Sequence, residues 1–377
     1  MKALVCAGVL AVTCGYLASG CSGNGASTAD GAPDGSTGDG VPGTDAASPA
    51  DGASASWPDA AAMRDSAVDA KAPAADGAVA NGDGGAVLPD PNADGAFAIA
   101  ERDATMNVAS TGDNNVAIHV AYPTAPGVYP MVVVGHGLSL PASEYYSYVK
   151  RLASFGYVAL TVDFPGSPFS LNNTNEAKDM LAGIDWAKSD AMLGAIVDAN
   201  NVGMTGHSLG GKVALLAATM DSRVKASIVL DPVDGGGPGG CTAPACVAVA
   251  SLMPSLHIPT GFVGETTDST GGFMPCAPAA DNYTTFYAGT TSPSLEVTAL
   301  GADHMSFLDD KTSCGVTCSL CTAGTASNAQ VNGMARSFVV AFYERYLRGN
   351  AAYDAYLTGG AAQSRYVATS QATITSK

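Results

Sequence analysis

From residue 97 onward, short runs of apolar and β-branched residues alternate with longer stretches whose apolar positions recur at helical spacing. "NNVAIHVAYP" alternates like a half-exposed early strand, and "YPMVVVGHG" is a continuous apolar run ending in glycine, as a buried strand requires. "ASEYYSYVKRLASFG" then reads as a helix, "YVALTVDFPG" as a strand and "NEAKDMLAGIDWAKSD" as an amphipathic helix. "NVGMTGHS" is a strand feeding the helix "LGGKVALLAATM", and "VKASIVLDPVDG" and "IPTGFVGE" are two more strands. "GMARSFVVAFYERYLRG" closes the domain as a helix stopped by Gly349. The alternation predicts an α/β domain: a mostly parallel, doubly wound sheet with helices on both faces. No repeat of solenoid period interrupts it.

Ahead of residue 96 this pattern is absent, so the chain of 377 residues is expected to hold one large domain, 96–377, rather than two. Residues 1–21 carry one positive charge at Lys2, an apolar stretch from Ala3 to Leu17 and small residues before Cys21, which together predict an export signal too short for a lasting membrane span. Its "LASGC" end resembles a bacterial lipoprotein box, which makes Cys21 the expected lipidation site and a membrane the expected partner through that anchor. The expected location is the cell envelope, or the outside by plain secretion. Residues 22–95 are dominated by Ala, Gly, Asp, Ser and Pro, with twelve aspartates against Arg64 and Lys71, and supply ten of the seventeen net negative charges. Such a segment lacks the apolar side chains whose burial would offset the entropy of ordering it, so it reads as a flexible tether. Its aspartates lack the spacing of a calcium loop, and the acid excess without a basic cluster excludes a nucleic-acid partner.

Six of the nine cysteines, Cys241, Cys246, Cys276, Cys314, Cys318 and Cys321, fall in the domain. In an exported chain they predict three disulfides, with fifteen connectivities left open; the glycine-rich stretch 234–254 reads either as a pocket rim, which a Cys241–Cys246 bridge would pin, or as a long surface loop. The alternative, a metal knuckle in "CGVTCSLC", lacks a second cluster or a histidine at matching spacing, and no metal is expected.

Gly206-His207-Ser208-Leu209-Gly210 fits G-x-S-x-G between a strand and a helix, the setting in which a serine is displayed on a tight, strained turn. A serine hydroxyl needs a base. Of five histidines, His119 lies in an early strand, His136 in the "GHG" loop, His207 beside the serine and His257 before a strand. That leaves His304 of "ALGADHMSFLDD", after a late strand, as the expected base. Four carboxylates compete for the third position: Asp231 at the end of "ASIVLD", Asp234 three residues on, Asp268 after the next strand and, more weakly, Glu265. The turn after "VVVGHG" offers the Leu138 amide, with that of Leu209, as an oxyanion hole.

With these residues assembled, the chain resembles an α/β hydrolase, and within that fold the chlorophyllase group. The likeness rests on "APGVYPMVVVGHGLSLPASEYYSYVKRLASFGYVAL", "GHSLGGKVALLAA", "LDPVDG", "MPCAPAADNYTTFYAG" and "DHMSFLDD". It implies that the acid is the first aspartate of "DPVDG", Asp231, serving with Ser208 and His304. It departs from the family at Leu209, where chlorophyllases carry arginine. The same core is similar to polyester and platelet-activating-factor hydrolases, so the expected activity is cleavage of a small or lipid-like carboxylic ester by a monomeric, cofactor-free enzyme. Lipase, peptidase or acyltransferase action on the same triad, or a binding protein on a silent hydrolase scaffold, are the competing expectations.

Overall fold

The computed structural model describes residues 88–167, 169–237, 240–270 and 275–377. The signal, the lipidation site Cys21 and the tether as far as residue 87 lie outside the described residues. Among those described, one sheet is built from β1 (Ile99–Val108), β2 (Asp113–Pro123), β3 (Tyr129–Gly135), β4 (Val158–Val162), β5 (Val197–Gly206), β6 (Val224–Leu230), β7 (Thr260–Glu265), β8 (Ser294–Ala299) and β9 (Ala372–Ser376). Their order is β1-β2-β4-β3-β5-β6-β7-β8-β9. The run from β4 to β8 is parallel, while β1, β2 and β9 pair antiparallel.

Period-two alternation in the strands sends side chains to two cores. Val132 and Val134 of β3 face one cluster, Met131 and Val133 the other. The first is covered by α1 (Tyr146–Ser154) and by α6 (Asn328–Tyr346), whose Phe338, Val339 and Phe342 are buried. The second is covered by α2 (Asn173–Ser189), α3 (Leu209–Met220) and α4 (Tyr283–Gly289). The central strands therefore read as unbroken apolar runs because both of their faces are covered.

Two edge strands escape the sequence pattern. In β1, Glu101, Arg102 and Asp103 make "IAERDATMNV" look like a polar connection, although only one of its faces is packed. In β9, "ATITS" follows the helix expected to close the domain and adds a short strand beside β8. The packed domain also reaches back to Leu88, ahead of the expected start at 96. Asp90 pairs with Arg365 at 2.7 Å, Asp94 with Arg151 at 2.9 Å, and the Tyr353 hydroxyl donates to the Pro89 carbonyl at 3.1 Å.

The six cysteines pair as Cys241–Cys246, Cys276–Cys321 and Cys314–Cys318. The last pair joins the N-cap of the short helix α5 (Gly315–Ser319) to a residue within it, so each sulfur of "CGVTCSLC" is bonded to another sulfur.

Candidate active site

Ser208 stands between the end of β5 and the first turn of α3, with φ 55° and ψ −119°. A side-chain-bearing residue held in this region costs roughly 1–3 kcal/mol and persists only where the surroundings impose it. Here they do so by contact. A Cβ at Gly210 would lie 2.3 Å from the Gly135 carbonyl, and one at Gly206 would lie 2.5 Å from the Gly210 backbone. The two glycines let β3, β5 and α3 converge under the serine, whose hydroxyl is thereby lifted above the carboxyl ends of the strands.

His304 opens a 3-10 turn, His304–Phe307, capped by Asp303, whose carboxylate accepts from the Ser306 hydroxyl at 2.8 Å. Nε2 of His304 lies 2.8 Å from Ser208 Oγ, and Nδ1 lies 2.6 Å from Asp231 Oδ2. The sequence-predicted serine, base and acid therefore meet, from positions 208, 231 and 304. Asp231 is fully buried directly after β6 and, like Ser208, has positive φ, 40°. Burial opposes the charged imidazole, but the Asp231 carboxylate outweighs it, and His304 protonates above the ordinary histidine value.

The other carboxylates considered for the acid have different partners. Asp234 accepts the Val249 and Ala250 N–H groups at 2.9 Å and faces Lys212 Nζ at 3.3 Å, so it clasps the base of the glycine-rich stretch. Asp268 Oδ2 accepts the main-chain N–H of His304 at 2.9 Å and its Oδ1 the N–H of Thr322 at 2.7 Å. It supports the backbone of the histidine without touching its ring. Glu265 accepts the Asp268 N–H at 3.0 Å, and burial, reinforced by the Asp231 charge, pushes its carboxyl up to about 8.

The motif "DHMSFLDD" owes its polar end to docking rather than chemistry. Asp309 Oδ2 accepts the Ser147 N–H at 2.8 Å, the Asp310 N–H reaches Glu144 at 2.9 Å, and Asn332 of α6 donates to the Phe307 carbonyl at 2.9 Å. Each bond ties the turn carrying His304 to a helix.

His207, passed over as a base because it adjoins the serine, is part of the site. It is fully buried, with Nε2 donating to the His304 carbonyl at 2.8 Å and Nδ1 accepting from the Tyr145 hydroxyl at 2.7 Å. That hydroxyl in turn accepts the Gly137 N–H at 3.2 Å. Burial and the neighbouring His304 hold His207 well below the ordinary value, hence neutral. The elbow, the turn before Leu138 and the backbone of His304 are thus joined by one chain of hydrogen bonds. No local sequence signal marks Tyr145 as its middle link.

Among the described residues the Leu138 and Leu209 N–H groups have no acceptor within the protein, Leu209 being the first residue of α3. Both residues line a groove of about 370 Å³ that also takes in Leu140, Phe164, Leu171, Asp163 and Glu176. Gly237 of the glycine-rich stretch packs on its wall: a Cβ there would lie 2.7 Å from Leu171.

Comparison with known proteins gives a family model, Chlorophyllase, that matches residues 93–362. The chain belongs to the chlorophyllase family. As such it is a carboxylic ester hydrolase of the α/β-hydrolase fold. It is 29% identical to Chlorophyllase-2 of Arabidopsis thaliana over 254 residues, 61% of this chain and 77% of that protein. It is 26% identical to Chlorophyllase type 0 of Chenopodium album over 244 residues, 60% of this chain and 70% of the relative. It is also 26% identical to a bis(hydroxyethyl) terephthalate hydrolase of Streptomyces coelicolor over 203 residues, 52% and 56% of the two chains.

Proposed function

We propose that this chlorophyllase-family chain cleaves carboxylic esters through a Ser208–His304–Asp231 triad and an acyl-enzyme. The observation that carries the reading is the continuous pair of contacts through His304, 2.8 Å to the Ser208 hydroxyl and 2.6 Å to the buried Asp231 carboxylate. His304 removes the Ser208 proton as Oγ attacks the ester carbonyl, and Asp231 fixes the imidazole with its second nitrogen protonated. The carbonyl oxygen, now negative, is received by the Leu138 and Leu209 N–H groups, and the positive end of α3 favours the same charge. His304 passes the proton to the departing alcohol. Water, deprotonated by the same histidine, then attacks the acyl-enzyme and releases the acid.

The apolar walls of the groove favour an ester with a hydrophobic portion, in keeping with both kinds of relative. Leu209, apolar where chlorophyllases carry arginine, argues for a substrate other than chlorophyll. We place the enzyme in the cell envelope, as a monomer tethered by residues 22–87 to a lipidated Cys21; loss of labelled palmitate from the Cys21→Ala chain would be the expected sign of that anchor.

The direct test is hydrolysis of p-nitrophenyl butyrate with parallel fluorophosphonate labelling. Ser208→Ala should lose at least about 10⁴-fold in kcat and all of the label. Turnover at the unmodified rate, or label on another residue, would overturn the assignment.

A further inference from the structure

The groove beside the oxyanion turn is electrically one-sided. Among the described residues its titratable lining side chains are His136, Asp163 and Glu176, with no lysine or arginine. His136 is tied up by the main chain. Its Nδ1 donates to the Gly137 carbonyl at 2.8 Å and its Nε2 accepts the Phe164 N–H at 2.8 Å. An Asp163 oxygen lies 3.2 Å from the same Nε2. Asp163 is half exposed toward the opening. Lys212 lies beneath the site but is turned to Asp234, donating to its carbonyl at 2.9 Å, and is buried. Glu176 is buried in the wall, with one oxygen bonded to Asn173 at 2.8 Å. Burial raises its carboxyl from the ordinary value, against the opposing effects of Asn173, His136 and Lys212.

Resting on the esterase reading above, we propose that this groove admits uncharged ester portions and rejects those bearing a carboxylate, so that a diester of a dicarboxylic acid is cut once and released as the monoester. In that reaction water replaces one alkoxy group: one acyl C–O bond breaks, the alcohol leaves with a proton, and the acid loses its own to become a carboxylate. The product thereby acquires the charge that Asp163 and Glu176 repel. Between partly solvated groups a few ångströms apart, such repulsion is large enough to govern selectivity. The same repulsion speeds departure of the monoester and keeps it from rebinding for a second cut.

The test compares two matched pairs at about pH 8, where a free substrate carboxyl is ionised. One pair places the charge on the acyl side: p-nitrophenyl adipate with its distal carboxyl free or methylated. The other places it on the alcohol side: butyrate esters of 4-hydroxybenzoic acid and of its methyl ester. Each ratio of kcat/KM is corrected for hydroxide-catalysed hydrolysis. The neutral member should be preferred by more than roughly fivefold in at least one pair, and the preference should shrink in Asp163→Asn, in Glu176→Gln, or in both, and with added salt. Because a ratio is read, a smaller folded fraction in a variant does not alter it. A ratio below about fivefold in both pairs, or one unmoved in both variants, overturns the proposal. Undiminished hydrolysis of the neutral esters by Ser208→Ala would instead overturn the esterase reading, which separates the two failures.

Discussion

Asp231 and Asp268 divide two tasks around one histidine. Asp231 meets the ring at 2.6 Å, whereas Asp268 holds the main chain of the same residue at 2.9 Å. Exchanging each for its amide should separate these roles. With His304 protonating above the ordinary histidine value, the proposed mechanism requires kcat/KM to fall as pH drops through that raised pKa, because a general base must be neutral to accept the serine proton. Asp231→Asn removes the charge that raises the imidazole and disfavours the active tautomer. It should therefore move the acid limb of the pH profile to lower pH and reduce kcat by about 10³- to 10⁴-fold. Asp268→Asn leaves the ring contact in place and weakens its support; the expected loss is about 10- to 100-fold, the scale of a misplaced catalytic group. Equal losses in the two variants across the pH range would contradict this division.

At the scale of elements, the proposed site is a meeting of strand ends: the turn after β3 carries Leu138, the end of β5 Ser208, the end of β6 Asp231 and the stretch after β8 His304. Gly210→Ala tests the closest of these meetings. Its Cβ would fall 2.3 Å from the Gly135 carbonyl, so β3 and α3 must separate. A loss of about 1–3 kcal/mol is expected, read as a lower melting temperature together with lower activity. The central strands were legible in the sequence because burial on both faces writes them as apolar runs, and the elbow because its glycines bracket a serine. β1 was not, since one solvated face mixes charges into its pattern. The choice among Asp231, Asp234 and Asp268 was open to residue-by-residue reading for a related reason: all three lie at strand ends or just beyond, and only the fold shows which one faces the ring. Tyr145 and His207 were invisible as a pair because their contact spans 62 residues.

For the whole molecule, the packed domain begins at Leu88, and the ion pairs of Asp90 and Asp94 together with the Pro89 carbonyl bond hold that start against α1 and the C-terminal residues. A chain starting at Leu88 should melt several degrees above one starting at Ala96, with similar esterase activity; matching melting curves would show that these contacts contribute nothing. The central claim, however, concerns a covalent bond at one atom. Acid-quenching the enzyme during turnover of a p-nitrophenyl ester and mapping the peptides by mass reads that bond directly. The acyl mass should sit on Ser208, together with a burst of one p-nitrophenol per enzyme, and neither should be seen in Ser208→Ala. An adduct on another residue, or full turnover with Ser208 replaced, would contradict it.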